Sequence, residues 1–174
     1  MKTREEVKNK IINLCIKKDI KNISLVLAFA KAESDFYPYA NRFESGWRYF
    51  TNMNNHPIPK DKNLELTRQH ARIVLGELEY TMQSTSHGIF QVMGSTGKWL
   101  GHTGNLFELY NTEVNLALFK TYYDYLSNRY DGYINDIISA YNQGNTRKNL
   151  DGRYKNYEYV NKVIKFRNEY EKEL

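Results

Sequence analysis

The chain has 174 residues, 41% of them hydrophobic, which is enough for a folded domain with its own core and too apolar for general disorder. Its apolar runs fall well short of a membrane span, and its single cysteine, Cys15, excludes an intrachain disulfide and a cysteine-based zinc site. The net charge of +5, with basic and acidic side chains interleaved, favours a polyanionic partner such as nucleic acid, an anionic membrane or a cell wall, without choosing among them.

The N-terminus opens Met-Lys-Thr-Arg-Glu-Glu with no apolar h-region behind it, so the expectation is a chain made in the cytoplasm without a signal peptide, or a mature fragment. Thr3 and Glu6 have capping-box spacing ahead of Val7, Ile11, Ile12, Cys15 and Ile16, which predicts an amphipathic first helix. Ser24 to about Asp35 predicts a second, more buried helix, closed by Pro38. Residues 37–62, rich in Asn, Pro, Lys and aromatics, read as an irregular excursion of the kind that is more often functional than idle. From Leu64 to about Met82, Ile73, Val74 and Leu78 return at helical spacing and predict one helix, broken by Ser84-Thr85-Ser86-His87-Gly88. A short apolar turn or helix over 89–93 leads into a stretch punctuated by Gly94, Gly97, Gly101 and Gly104.

A long helix is predicted from Thr112 to about Tyr130, with Val114, Leu118, Tyr122 and Leu126 on one face. Another runs from Tyr133 to Gln143 on a stripe of Ile134, Ile137, Ile138 and Tyr141, with Gly144 as its C-cap. The last extends from about Tyr157 to the end through Val160, Val163, Ile164 and Phe166. No alternating strand pattern and no repeat stands out. The predicted class is mainly α, in a single domain over 1–174.

One acid is out of place in this pattern. Glu33 ends an almost wholly apolar run and shares a helical face with Val26, Phe29 and Ala30. Desolvation there disfavours the charged carboxyl and raises its pKa, and an acid still protonated near neutrality is what protonates a leaving oxygen in glycoside cleavage. The plainer reading is a helix-end glutamate turned to water.

Three ordered segments bear on that choice: Glu33-Ser34, then Ser86-His87-Gly88-Ile89-Phe90-Gln91-Val92-Met93, then Ala140-Tyr141-Asn142-Gln143-Gly144. Together they resemble the soluble lytic transglycosylase family, a branch of the lysozyme-like superfamily with Glu-Ser, Gly-Leu-Met-Gln and Ala-Tyr-Asn-Ala-Gly in that order. Asn115-Leu116 is similar to the family's Asn-Ile segment, and Tyr159-Val160 with Val163 to its closing Tyr-Val-x-x-Val. The resemblance covers about 24–164. It departs at Ile89-Phe90 and at Gln143, and His87 before the glycine offers an extra donor.

The resemblance implies a lysozyme-like helical domain with a substrate groove, in which Glu33 cleaves the bond between N-acetylmuramic acid and N-acetylglucosamine. In that family one glutamate serves as acid and then as base, the substrate's N-acetyl group stabilises the cation, and the ring closes to a 1,6-anhydro product. Tyr141 is expected to orient Glu33. Ser86, Gly88, Gln91 and Asn142 are expected at the substrate, Gly88 by letting backbone approach a sugar and Gln91 by an amide that donates and accepts. A goose-type muramidase hydrolysing the same bond, or a non-catalytic glycan-binding module, are the alternatives. Glu44, beside Arg42, is either a second carboxylate or a salt bridge bracing the loop. Asp35 reads as a helix-end cap, and Glu77 and Glu79 as a solvated face.

The four histidines, His56, His70, His87 and His102, have no metal-site spacing, so no metal or cofactor is expected. The expected partner is the peptidoglycan glycan strand, with no nucleic acid, no stable membrane insertion and a monomeric state. A phage endolysin or virion lysin fits the expected architecture.

Overall fold

The computed structural model describes residues 3–174, and among them it contains eight α-helices, one 3-10 helix and a small sheet. It divides into two compact units, one made of the chain up to Tyr37 together with Phe119–Leu174, the other of Pro38–Leu118. The mainly helical class expected from the sequence is what the chain adopts.

In the first unit, α1 (Arg4–Lys17) begins at the anticipated capping box. Thr3 Oγ1 accepts from the Glu6 amide at 3.2 Å, and Glu6 Oε2 accepts from the Thr3 amide at 2.7 Å. Val7, Ile11, Leu14 and Cys15 are its buried residues. Ile16, expected on the same face, is exposed: nine residues on from Val7 it has rotated by about 180°.

The second helix, α2 (Ile23–Ser34), is buried at every position from Ser24 to Ala30, as an all-round apolar helix must be. It packs along α8 (Tyr157–Glu173). Phe29 is fully buried, its ring 5.2 Å from Phe119 and 4.8 Å from Tyr141. The helix stops abruptly. Asp35 and Phe36 are both left-handed, with φ of 52° and 62°, and their amides turn back onto Lys31 O and Ala30 O. α7 (Ile134–Gln143) buries Ile137 and Ile138 and ends at Gly144, as expected.

The second unit departs more from the sequence reading. The single helix predicted over 64–82 is two, α3 (Leu64–Leu75) and α4 (Glu77–Gln83), separated at Gly76, whose φ of 75° a side chain would resist. The break leaves Ile73, Val74 and Leu78 exposed and turns Tyr80 inward. There Tyr80 joins Phe50, Ile58 and Ala71 in a satellite core, its ring 5.2 Å from that of Phe50. A sheet also forms where none was expected. β1 (Asn41–Phe43), β2 (Thr85–His87) and β3 (Val92–Met93) lie antiparallel in that order, with Arg42 opposite Ser86 and Ser86 opposite Met93. Strands of two or three residues are too short to show an alternation. α5 (Gly94–Trp99) and the 3-10 helix Leu106–Tyr110 follow. α6 (Thr112–Arg129) then carries Asn115 into this unit.

Asn115 is fully buried and holds the turn after β2. Its Oδ1 accepts from the Phe90 amide at 2.8 Å, and its Nδ2 donates to His87 O at 3.0 Å. Asn115→Ala strands both backbone groups, each costing ~1–3 kcal/mol, so denaturant unfolding should show a loss of about 3 kcal/mol. Ile73→Ser, on the exposed side of α3, should change stability by no more than about 0.5 kcal/mol in the same experiment.

Candidate active site

Glu33 sits in the last turn of α2, one turn beyond Phe29, and is half-buried. Two elements of its own unit converge on it. From α8, the Tyr159 hydroxyl donates to Glu33 Oε1. From α7, Tyr141 packs its ring against Phe29, Phe119 at 5.6 Å and Tyr122 at 5.4 Å. Both phenols are held well above the ordinary tyrosine range, chiefly because burial disfavours the phenolate and next because the Glu33 charge repels it. Both therefore keep their protons beside the carboxyl at any working pH.

The end of α2 is braced around this acid. Lys162, three residues after Tyr159 on α8, donates its ammonium to Ala32 O at 2.9 Å, a cation at the negative end of a helix. Asp35, in the C-cap position that the sequence suggested, is engaged by Lys31 and by Arg4 Nη1 at 2.7 Å. Tyr141, expected to orient Glu33, feels its charge. The sequence marks Tyr159 only as part of a closing motif; its hydrogen bond to Glu33 emerges from the structure. The signal was present: Tyr159 lies one turn before buried Val163, so its ring faces inward.

Asn142 is exposed and accepts from Asn156 Nδ2 at 3.0 Å. Asn156 in turn donates to Ser139 O and accepts from Ser139 Oγ at 2.9 Å, tying the end of α7 to the start of α8.

The other expected site residues lie in the second unit, on and around the sheet. Ser86 Oγ donates to Gln91 Oε1 at 2.8 Å, and Gln91 Nε2 donates to Gly88 O at 2.9 Å. The amide of Gln91 is thereby fixed in orientation, with a donor and an acceptor position still open for an outside partner. Gly88 has φ of 75°, and a Cβ there would lie 2.4 Å from Leu109 O and 2.9 Å from Asn115 Cγ. The glycine is thus demanded by packing within the unit, a reason the sequence reading did not supply.

His87 corrects an expectation. It is fully buried and offers no donor outward. Nε2 lies 2.8 Å from Met82 O, which can only accept, so Nε2 carries the proton and Nδ1 accepts from Tyr110 OH at 3.1 Å. Burial pushes its pKa below the ordinary 6.5.

Glu44 pairs with Arg42, Nε to Oε1 at 2.5 Å, and its amide donates to Ser84 O at 2.9 Å. The loop-bracing contact foreseen as one reading of Glu44 is therefore formed. Glu77 is paired with Arg72 at 3.4 Å, and Glu79 accepts from Gln83. No group of three or more metal-ligating side chains occurs among the described residues, and no helix is long and apolar enough to cross a membrane.

The family model of the transglycosylase SLT domain matches residues 11–164. The chain belongs to that family. Its members are lytic transglycosylases acting on peptidoglycan, and the chain is an enzyme of that general kind. The match runs through both compact units and includes Glu33, the Gly88 turn, Asn115, Tyr141 and Tyr159. No curated protein and no solved structure matches the chain significantly.

Because unfolded histidine titrates near 6.5 and folded His87 below it, the unfolded chain binds the extra proton as pH falls through that window. This part of the stability is full above pH 6.5 and lost progressively below it. The melting temperature should therefore drop from pH 7 to pH 5. The drop should be smaller in His87→Gln, whose amide cannot titrate.

Proposed function

We propose that the enzyme cleaves the β-1,4 bond between N-acetylmuramic acid and N-acetylglucosamine with Glu33 as its single acid and base, leaving a 1,6-anhydro end. The observation that carries this reading is the setting of Glu33: a half-buried carboxyl one turn beyond the buried stretch Ser24–Ala30, hydrogen-bonded by Tyr159 and with its charge felt by Tyr141. Protonated, Glu33 gives its proton to the glycosidic oxygen. The leaving sugar departs, and the substrate's own N-acetyl group meets the charge that develops at the anomeric carbon. The carboxylate then takes the proton of the C6 hydroxyl, which closes the ring, so no water is consumed and the enzyme regains its acid.

Tyr159 would hold Oε1, leaving Oε2 to work on the sugar. Tyr141, kept neutral by burial, would serve as a second fixed dipole close to the reacting carboxyl. Ser86, Gly88, Gln91 and Asn142 are proposed as substrate contacts; the open positions of the Gln91 amide suit acetamido and hydroxyl groups. Glu44 is assigned to bracing Arg42 rather than to a second catalytic carboxylate, the support being their ion pair. We read residues 1–174 as one catalytic domain, which the continuous family match favours. Lysis of the bacterial wall, by phage or by bacterium, is the proposed setting, in keeping with the wall substrate and the basic charge.

Mass spectrometry of digested wall tests the bond and the mechanism together. Anhydromuramyl ends are expected, whereas reducing ends would replace this reading with a hydrolase. Glu33→Gln should lower turnover by roughly 10²–10⁴-fold, the usual contribution of a positioned general acid. Tyr159→Phe should lower kcat by roughly tenfold or more, since a hydrogen bond to a charged group is worth ~1.5–3 kcal/mol, and should shift the pH profile while the melting curve shows a folded protein. Glu44→Gln should keep activity within about threefold, as expected for a solvent-exposed ion pair. Loss of turnover in Glu44→Gln with the fold intact would instead make it the second carboxylate.

A further inference from the structure

Residues 147–155, between α7 and α8, form a hairpin that the proposed chemistry does not use. Lys148 pairs antiparallel with Tyr154, the Asn149 amide donates to Arg153 O at 2.7 Å, and the Lys155 amide donates to Arg147 O at 2.9 Å. The turn is closed by the Gly152 amide on Asn149 O and by the Arg153 amide on Asp151 Oδ1, both at 3.0 Å. Its foot is anchored, with Tyr154 OH donating to Asp136 Oδ1 on α7 at 2.7 Å. The hairpin is thus an ordered finger, about 10 Å from foot to tip for three residues of strand.

Two features of this finger face solvent. It carries Arg147, Lys148, Arg153 and Lys155 against Asp151, a local net charge of +3 within a chain of +5. All four cations are exposed; Arg153 pairs with Asp151 at 3.7 Å and lies 5.7 Å from the Tyr157 ring, and Lys148 lies 4.9 Å from the Tyr154 ring, the guanidinium and the ammonium both keeping a solvent-facing side. Asp151 is itself engaged in the turn. The apex is Leu150, 110% exposed, at a turn position where small or polar residues are the rule. A polyanionic polymer would use the cations and have no use for the leucine. A bilayer surface uses both: anionic headgroups meet the cations, and an apolar tip enters the headgroup–acyl boundary, which is ~5–10 Å deep.

We propose that the 147–155 hairpin docks on anionic phospholipid surfaces, with Leu150 inserted and Arg147, Lys148, Arg153 and Lys155 around it. One leucine and a few cations make a reversible, salt-sensitive attachment rather than an anchor. The attachment does not depend on the proposed catalytic chemistry. Because the hairpin lies in the same compact unit as Glu33, a few residues beyond Asn142, docking would hold that unit at the membrane face of the wall.

Co-sedimentation of the whole protein with phosphatidylcholine vesicles, with and without phosphatidylglycerol, tests this. Binding is expected only with phosphatidylglycerol, and it should fall as salt rises. The double variant Arg147→Glu/Lys148→Glu should weaken it by more than tenfold, at about fivefold per cation lost. Leu150→Asp should weaken it several-fold, and Leu150→Trp should strengthen it, with a blue shift of fluorescence on anionic vesicles. These variants should digest lipid-free purified wall at the parent rate, so failure of the membrane proposal and failure of the catalytic one are read separately. Equal binding to both vesicle types, unchanged binding in the charge and Leu150 variants, or variants that lose lipid-free wall in place of vesicles would each overturn the proposal.

Discussion

The grip of α8 on the C-terminal end of α2 is the constraint on which the proposed catalytic centre rests. A helix end leaves carbonyls without partners, and the last turn of α2, Lys31 to Ser34, is half-buried, so water alone does not meet them. Lys162 caps one of these carbonyls, and Asp35 and Phe36 turn two amides back onto others. Within that frame Tyr159 reaches Glu33. The same helix–helix contact therefore satisfies the backbone and aims the acid. Were α8 to shift by a turn, both functions would fail together.

Beneath the acid, the aromatic packing of Phe29, Phe119, Tyr141 and Tyr122 limits how far Tyr141 can move. Dense packing of this kind fixes rotamers, and a fixed phenol beside a carboxyl is a dipole that need not reorganise during reaction. In the other unit a comparable task falls to one buried amide. Asn115 pairs with the backbone on both sides of Gly88, the turn that carries Ser86 and Gln91. The neutral His87 locks the adjoining strand to Met82 and Tyr110. Polar side chains that looked like candidate ligands are largely engaged with one another, which fixes the orientation of the groups proposed to meet substrate.

Much of this was legible in the sequence where a local rule decides. The Thr3–Glu6 box, the buried character of α2, the stop at Gly144 and the extents of α6, α7 and α8 follow from capping chemistry and from a period of 3.6. Helical spacing misled at Ile73, Val74 and Leu78, because a pattern of apolar residues does not register the change of direction at Gly76. Ile16 was placed on the wrong face by counting apolar residues instead of their angles. The strands escaped notice because they are held by register with distant partners, Arg42 with Ser86 and Ser86 with Met93, rather than by any run of their own.

The sequence by itself determined that Glu33 would be an acid at the end of an apolar helix. It also supplied the ordered motifs that place the chain among the lytic transglycosylases. These are properties of neighbours along the chain and of residue order. Only the tertiary structure decided who attends that acid, because Tyr159 is 126 residues away and no local rule links the two. For the same reason it alone showed that His87 turns inward onto Met82 and Tyr110, and that Gly88 is a glycine because Leu109 and Asn115 occupy the space of its side chain, whereas the Arg42–Glu44 pair, two residues apart, was one of two readings open to the sequence.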